Sequence, residues 1–263
     1  MICTWSRGVA DEHMSEEILV RTGGAVRRHP WWKARARLTL ALLGRHGVRP
    51  PARILDAGCG WGVTLEALEA SGFEATGLDV SPRILARLDG PGRRLVEADL
   101  TQTWPPASAP ETFDAVLALD VIEHLDDDRA ALASLARMAR PGGFLIVSVP
   151  AQPSLFSEFD AVQGHRRRYL PDALRTAFEH TGLSIESTLW WGAWMIPILR
   201  RRLGKRESKP GEDAAEVYLR YLRLPPWPGT LVLRTAYALE QPLALRGLLP
   251  TGTSLFAVAR RPA

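Results

Sequence analysis

Short apolar runs alternate with amphipathic stretches through the middle of the chain. The apolar runs predict strands at residues 53–56, 73–79, 94–97, 113–119 and 144–149. Between them, apolar residues at helical spacing predict helices at 63–70, 82–88 and 127–140. Because parallel strands need crossover connections, this alternation predicts a parallel sheet that is covered on both faces.

The two ends of the chain follow a different pattern. Helices are expected before the first strand, at 12–21 and 31–45, and later at 171–181, with strands at 183–189 and 254–259. A Pro-rich loop at 104–110 and a less regular stretch, broken at 225–228, separate these elements. We therefore expect an N-terminal helical segment, a core, an insertion and a last core strand, at residues 1–49, 50–191, 192–252 and 253–263.

Composition narrows the class of protein. The 263 residues are 46% hydrophobic and 24% charged, which is ordinary for a globular protein. Two cysteines, Cys3 and Cys59, are too few for a disulfide framework, so we expect a reducing, cytoplasmic location. The longest apolar stretch, 189–199, falls short of the roughly 20 residues of a membrane-spanning helix. A net charge of +4 is too mild to predict nucleic-acid binding.

A glycine-rich turn follows the first predicted core strand. Residues 54–62 read ILDAGCGWG, and Gly58, Gly60 and Gly62 would let the backbone approach a ligand at a helix N-terminus. A dinucleotide site would read Gly-x-Gly-x-x-Gly, whereas Val63 occupies the next position here. The turn suits a ligand that presents a carboxylate and an amine, and a purely structural turn is the alternative.

Acidic residues end the next two predicted strands. Asp79 lies 21 residues beyond Gly58, where a carboxylate can accept both hydroxyls of a ribose. Val80 would cover one face of an adenine, Asp99 would accept its amino group, and Leu100 would pack on the ring. A helix-capping or loop acid is the alternative for Asp79, and a solvated loop acid is the alternative for Asp99.

The segment after the fourth core strand should line the same pocket. Residues 118–124 read ALDVIEH, and ligands of such sheets bind at the carboxyl ends of the strands. His124 could be a general base or a hydrogen-bonded wall residue. Asp120, Glu123 and His124 could ligate a metal, but acids often cap helix starts, and we expect no metal.

Residues 55–150 together resemble the class I S-adenosylmethionine-dependent methyltransferases, including the RPGG sequence at 140–143. The resemblance implies an α/β Rossmann-like, doubly wound sheet of seven strands with a terminal antiparallel hairpin, N-terminal helices and a helical insertion before the last strand. It implies S-adenosylmethionine as the cofactor. The implied cofactor-binding residues are Arg35, Asp56, Gly58, Gly60, Gly62, Asp79, Val80, Asp99, Leu100 and Leu119.

Within this superfamily the chain is similar to the ubiquinone-biosynthesis O-methyltransferases and related small-molecule enzymes. The similarity includes the tryptophan pair at 31–32 with Arg35, where Arg37 is the alternative, and the DVIEH sequence at 120–124. Residues 160–169, DAVQGHRRRY, resemble instead methyltransferases found with glycan and lipid-carrier biosynthesis. The resemblance implies a small amphiphilic, aromatic or lipid- or glycan-linked acceptor.

The same segment offers candidates for catalysis. We expect His165 to be the general base, with His124 second, while Tyr169 and Arg168 orient the substrate. A turn-capping His165 beside a solvated basic face at 166–168 is the alternative.

The expected reaction is methyl transfer to oxygen or nitrogen of a small molecule, with no nucleic-acid partner. Nucleic-acid enzymes that methylate amino groups carry Asn/Asp-Pro-Pro-Tyr after the fourth strand, and this chain does not. A non-catalytic, cofactor-binding partner subunit is the other reading. Residues 189–206 run from apolar and aromatic to basic, which fits a lid, the choice we favour, or a peripheral membrane contact. The sequence leaves the oligomeric state open.

Overall fold

The computed structural model describes residues 2–8, 14–102, 112–205 and 208–263. Within these ranges eight strands form one sheet in the order β1-β4-β3-β2-β5-β6-β8-β7. The strands are β1 (Ile2–Thr4), β2 (Arg53–Ala57), β3 (Glu74–Asp79), β4 (Arg94–Glu97), β5 (Phe113–Leu119), β6 (Ala139–Pro150), β7 (Ser184–Trp191) and β8 (Ser254–Arg260).

The expected seven-stranded arrangement, β2 to β8, is confirmed. Strands β2 to β6 run parallel, and β8 pairs antiparallel with both β6 and β7. The sequence did not predict β1, a three-residue edge strand that pairs in parallel with β4. The strand order changes direction at β2, which lies between β3 and β5. A ligand crevice is therefore expected at the carboxyl ends of these strands.

Helices cover both faces of the sheet. They are α1 (Glu16–Arg28), α2 (Pro30–Arg45), α3 (Val63–Ala70), α4 (Pro82–Leu88), α5 (Asp128–Met138), α6 (Glu158–Gln163), α7 (Pro171–Ala177), α8 (Ile196–Arg202), α9 (Ala214–Tyr221) and α10 (Gly229–Leu245). Helix α1 begins later than the predicted helix at 12–21 and extends further along the chain. The predicted loop at 104–110 lies outside the described residues. Among the helices described here, none has the length and apolarity needed to cross a membrane.

The insertion packs back onto the N-terminal helices. One buried cluster joins Ile18 and Trp32 of α1 and α2 to Tyr218 of α9. At its edge Arg21 donates to Asp213 over 2.7 Å and also pairs with Glu216. Elements from opposite ends of the chain therefore meet above the carboxyl edge of the sheet.

Candidate functional site

A cavity of about 700 Å³ lies at that edge, a size typical of small-molecule sites. The loops after β2, β3, β4 and β5 form its floor, while α2 and the insertion form its walls. The predicted residues that line it are Arg35, Gly58, Gly60, Asp79, Val80, Asp99, Leu100, Leu119, His124, His165 and Arg168. Three of the predicted cofactor-binding and catalytic residues do not line it, namely Asp56, Gly62 and Tyr169.

The three glycines of the turn have positive φ angles and different surroundings. A Cβ on Gly58 (φ +71°) would lie 2.5 Å from Val121 Cγ2, and one on Gly62 (φ +74°) would lie 2.6 Å from Leu88 Cδ2. A Cβ on Gly60 (φ +47°) would come no closer than 3.9 Å to the rest of the protein. Packing against Val121 therefore disfavours a side chain at Gly58, the left-handed backbone and the Leu88 contact disfavour one at Gly62, and Gly60 leaves space on the cavity floor.

Asp79 is anchored to this turn. Its Oδ2 accepts a hydrogen bond from the Gly60 N–H (2.8 Å), and its Oδ1 accepts one from the Ser81 N–H (3.0 Å). Burial raises the pKa of Asp79, while these backbone donors act in the opposite direction. Since each carboxylate oxygen has a second lone pair, Asp79 can still accept from a ligand hydroxyl.

Asp56 sits behind the turn rather than in the cavity. It is 2% exposed, and its Oδ2 has no partner among the described residues. Burial raises the pKa of Asp56 to about 7; the charge of Asp79 adds to this rise and that of Arg35 opposes it. Ionisation of Asp56 therefore costs free energy in the folded protein.

Residues at the start of the chain contact Asp99, which lines the cavity. The Asp99 N–H donates to Ser6 Oγ (2.9 Å), and Asp99 Oδ1 accepts from the N–H (2.8 Å) and the hydroxyl (2.7 Å) of Thr101. A Cβ on Gly8 would overlap the Asp99 carboxylate. No local sequence signal connects residues more than 90 positions apart, so this contact was not predicted.

Arg35 reaches the cavity from α2. Its Nη1 donates to the Leu119 carbonyl (3.3 Å) and pairs with Asp120, and its guanidinium lies 4.9 Å from the centre of the Trp31 ring. Its buried Nε has no partner within the described part of the chain. This unpartnered donor and the space above Gly60 fit a ligand that carries a carboxylate next to a nucleoside, as S-adenosylmethionine does.

His165 follows α6 and is held by a buried carboxylate. Its Nδ1 lies 3.0 Å from Asp160 Oδ1, and Arg168 donates to both oxygens of Asp160 at 2.7 and 3.0 Å. Burial would raise the pKa of Asp160, but the bonds to His165 and Arg168 outweigh it and lower that pKa. An ionised Asp160 can only accept, so the Nδ1 of His165 carries the proton and Nε2 is the basic nitrogen.

His124 continues this wall, and Glu123 is buried beside it. The His124 ring packs edge-on against His165, with the ring centres 4.7 Å apart. Burial raises the pKa of Glu123 well above its usual range, and neither of its oxygens has a partner in the described residues. Glu123, His124 and His165 each present a ligand atom within 4.8 Å of the others, so these three could hold a metal ion. This set differs from the one considered from the sequence, because His165 takes the place of Asp120.

Tyr169 points away from the cavity. Its hydroxyl donates to Asp128 Oδ2 (2.7 Å), and its backbone N–H donates to the Pro150 carbonyl (2.9 Å). Burial and the Asp128 carboxylate raise the pKa of Tyr169, so its phenol stays protonated. In this geometry Tyr169 braces the His165 segment against α5 and does not face an acceptor.

Aromatic side chains surround the rest of the cavity. Trp61 stacks on Tyr218 (6.1 Å between centres) and donates from Nε1 to the Leu19 carbonyl (2.9 Å). Trp194 and Tyr237 also line the cavity, whereas Trp191 is buried at 1% exposure. Two functional residues were not predicted from the sequence: Trp61 as a wall residue and Asp160 as the partner of His165. The available signals were the position of Trp61 next to Gly60 and the five-residue spacing of Asp160 from His165.

Comparison with known proteins shows the family of the chain. Residues 28–188 match the family described as a methyltransferase domain. The ubiquinone biosynthesis O-methyltransferase of Vibrio cholerae is 28% identical over 148 residues, which cover 50% of this chain and 60% of that enzyme. The enzyme of the same name from Hahella chejuensis is 31% identical over 134 residues, covering 46% and 56%. The matches thus span little more than half the length of these relatives.

Solved structures agree in fold. One similar chain comes from the complex between the Haloferax volcanii Trm112 methyltransferase activator and a methyltransferase. It matches with a TM-score of 0.59 and 19% identity, and the match covers 97% of this chain and 98% of that one. A SAM-dependent methyltransferase from Archaeoglobus fulgidus has a TM-score of 0.52 and 20% identity, covering 86% and 94%. At these identities the likeness concerns the fold alone.

Proposed function

Because the chain belongs to the S-adenosylmethionine-dependent methyltransferases, we propose that it methylates an oxygen or nitrogen of a small amphiphilic or aromatic acceptor, including lipid- or glycan-linked ones. One observation carries the proposal. A single cavity connects the glycine turn and Asp79 with His165 and with aromatic side chains of the insertion. Donor and acceptor sites can therefore share one enclosed space.

Cofactor binding would use the floor of the cavity. Asp79 would accept the ribose hydroxyls, Asp99 and Leu100 would meet the adenine, and Arg35 Nε would donate to the carboxylate. Bound S-adenosylmethionine supplies a methyl group on a positively charged sulfur. Val80 and Leu119 add apolar contact to this set, whereas Asp56 and Gly62 would act only by shaping the turn.

His165 would accept the proton from an acceptor hydroxyl at its Nε2. The proton then rests on the imidazole, and ionised Asp160 stabilises the resulting cation through Nδ1. His124 packs against this ring and is the second candidate. The remaining work of the protein is to hold the acceptor in line with the methyl group, which the aromatic walls can do.

The walls support an amphiphilic or aromatic acceptor. Trp31, Phe159, Trp194 and Tyr221 line the cavity, and such rings offer flat apolar surfaces with polar edges. Trp194 contributes to this wall while Trp191 packs inside the fold, which supports a lid role for the aromatic part of the segment 189–206.

Calorimetric titration with S-adenosylmethionine and S-adenosylhomocysteine tests the cofactor site. We expect micromolar binding that is lost in Asp79→Ala and retained in Glu74→Ala, which removes an exposed acid from the start of the same strand. Absence of binding by the wild-type protein, after a check that no ligand co-purified, would refute the proposed site.

Turnover separates an enzyme from a non-catalytic binding subunit. With an acceptor in hand, His165→Asn should lower kcat about a hundredfold or more, while the Kd for S-adenosylhomocysteine changes less than about twofold. His180→Asn is the matched control, because His180 is exposed and lies outside the cavity. An unchanged kcat in His165→Asn would remove His165 from the role of base.

A further inference from the structure

The insertion exposes an apolar surface next to the cavity. Trp227 is 81% exposed and Leu239 is 70% exposed, although side chains of this size are normally covered when they lie together. Along α10 the opposite side, with Tyr237 and Ala244, is buried. We call this surface the insertion face; its members are Leu224, Trp227, Leu231, Val232, Leu239, Leu243 and Leu248.

Positive charge accompanies the insertion face. Exposed arginines lie along it at Arg223, Arg234 and Arg246. Between residues 221 and 250 the sequence holds one acid, Glu240. Glu240 is buried and accepts the N–H groups that follow β7, so it does not offset the surface charge. The exposed run 200–202 at the end of α8 adds three more arginines.

The insertion face continues into the wall of the cavity. Leu224 belongs to both, and Arg202 and Arg223 also line the cavity. Ile198, two residues before the arginines at 200–202, lines it as well and is 42% exposed. A ligand that leaves the cavity on this side therefore meets apolar side chains flanked by arginines.

We propose that the insertion face docks on an anionic lipid bilayer. Its leucines and Trp227 would enter the boundary between headgroups and acyl chains, while the flanking arginines would meet anionic headgroups. Docking in this way turns the cavity wall that contains Leu224 toward the bilayer. This orientation implies that the acceptor is taken from the membrane rather than from water, an inference that rests on the proposed function.

Charge decides between a bilayer and a second copy of the chain. A symmetric dimer through the insertion face would bring like patches together, with Arg234 and Arg246 of both copies near one interface. Such like-charge contact is unfavourable, whereas anionic lipid supplies the opposite charge. Of these two partners, only the anionic bilayer both covers the apolar side chains and balances the positive charge.

Vesicle flotation of the full chain tests the proposal. We expect binding to vesicles that contain phosphatidylglycerol, weaker binding to phosphatidylcholine alone, and weakening with added salt. Replacing two large apolar groups in Trp227→Ser/Leu239→Ser should lower the apparent partition coefficient about tenfold or more. Arg234→Glu/Arg246→Glu should lower binding to the anionic vesicles by a similar factor.

Leu170→Ser is the matched control, because Leu170 is an exposed leucine outside the insertion, and its binding should stay within about twofold of the wild type. Unchanged partition of Trp227→Ser/Leu239→Ser would overturn the proposal. So would a wild-type dimer that becomes monomeric in this variant while neither binds vesicles. Titration with S-adenosylhomocysteine in parallel separates the proposals. Binding of S-adenosylhomocysteine without vesicle binding refutes the docking surface alone. Vesicle binding without binding of S-adenosylhomocysteine refutes the cofactor site alone.

Discussion

Two glycines of the same turn should respond differently to the same added methyl group. Both Gly58 and Gly60 have positive φ angles, where alanine costs about 1–2 kcal/mol relative to glycine. Only Gly58→Ala also forces a Cβ to within 2.5 Å of Val121 Cγ2, against a normal carbon contact of about 3.5–4.0 Å. Overpacking of this kind costs about 1–3 kcal/mol.

We therefore expect Gly58→Ala to lower the free energy of unfolding by about 2–5 kcal/mol and Gly60→Ala by about 1–2 kcal/mol. Truncation of the obstructing side chain isolates the difference. In a double-mutant cycle of Gly58→Ala with Val121→Ala, the coupling energy should be favourable and about 1–3 kcal/mol. Urea unfolding followed by circular dichroism, without ligand, measures all four proteins.

In ligand binding, Gly60→Ala should have the larger effect of the two variants, which is the reverse of their order in stability. A methyl group at Gly60 touches no protein atom closely and projects from the cavity floor, so Gly60→Ala should weaken S-adenosylhomocysteine binding about tenfold or more. Equal destabilisation by Gly58→Ala and Gly60→Ala, or a coupling energy near zero, would refute the packing argument. Unchanged affinity in Gly60→Ala would refute its place beneath the ligand.

Two buried acids give further predictions. Burial raises the pKa of Asp56 to about 7 from a usual value of 3.8, so its contribution to stability is complete below about pH 4 and is lost as the pH rises toward 7. Asp56→Asn should therefore gain on the wild type by a few kcal/mol, about 1.4 per pH unit, between pH 4 and 7 in chemical unfolding. Glu240 accepts the N–H groups of Gly192 (3.0 Å) and Ala193 (2.7 Å), and Glu240→Gln, which replaces one acceptor by a donor, should cost about 1–3 kcal/mol in urea unfolding at pH 7. A cost below that of an exposed Glu→Gln change elsewhere would contradict the capping role.

The core of the fold could be predicted because buried parallel strands carry continuous apolar runs. In β2, Ile54 and Leu55 point to opposite faces and both are fully buried, so the pattern in the sequence is unbroken. The short strand β1 has no such signal, because Ile2 pairs with Leu95 far along the chain. Its existence depends on a long-range pairing that local periodicity does not encode.

The direction of side chains was harder to predict than their position along the chain. Asp56 lies two residues before Gly58, yet its side chain is buried and does not line the cavity. Tyr169 lies four residues after His165, yet backbone bonds to Pro150 and Gln152 fix its segment so that the phenol meets Asp128. Proximity in sequence located the right segments, and tertiary hydrogen bonds decided which residues face the cavity.

The same tertiary bonds give the two carboxyl groups beside His165 different properties. Asp160 is paired with Arg168, so its pKa is lowered and its charge is compensated inside the protein. Glu123 has no such partner among the described residues, and burial raises its pKa, the opposite direction to that of Asp160. Its Oε1 is 3.9 Å from His165 Nε2, too far for a hydrogen bond. A proton gained at Nε2 would therefore be stabilised mainly through Nδ1 by Asp160. At this distance Glu123 leaves Nε2 available to an acceptor, which is the asymmetry that a general base in an enclosed site requires.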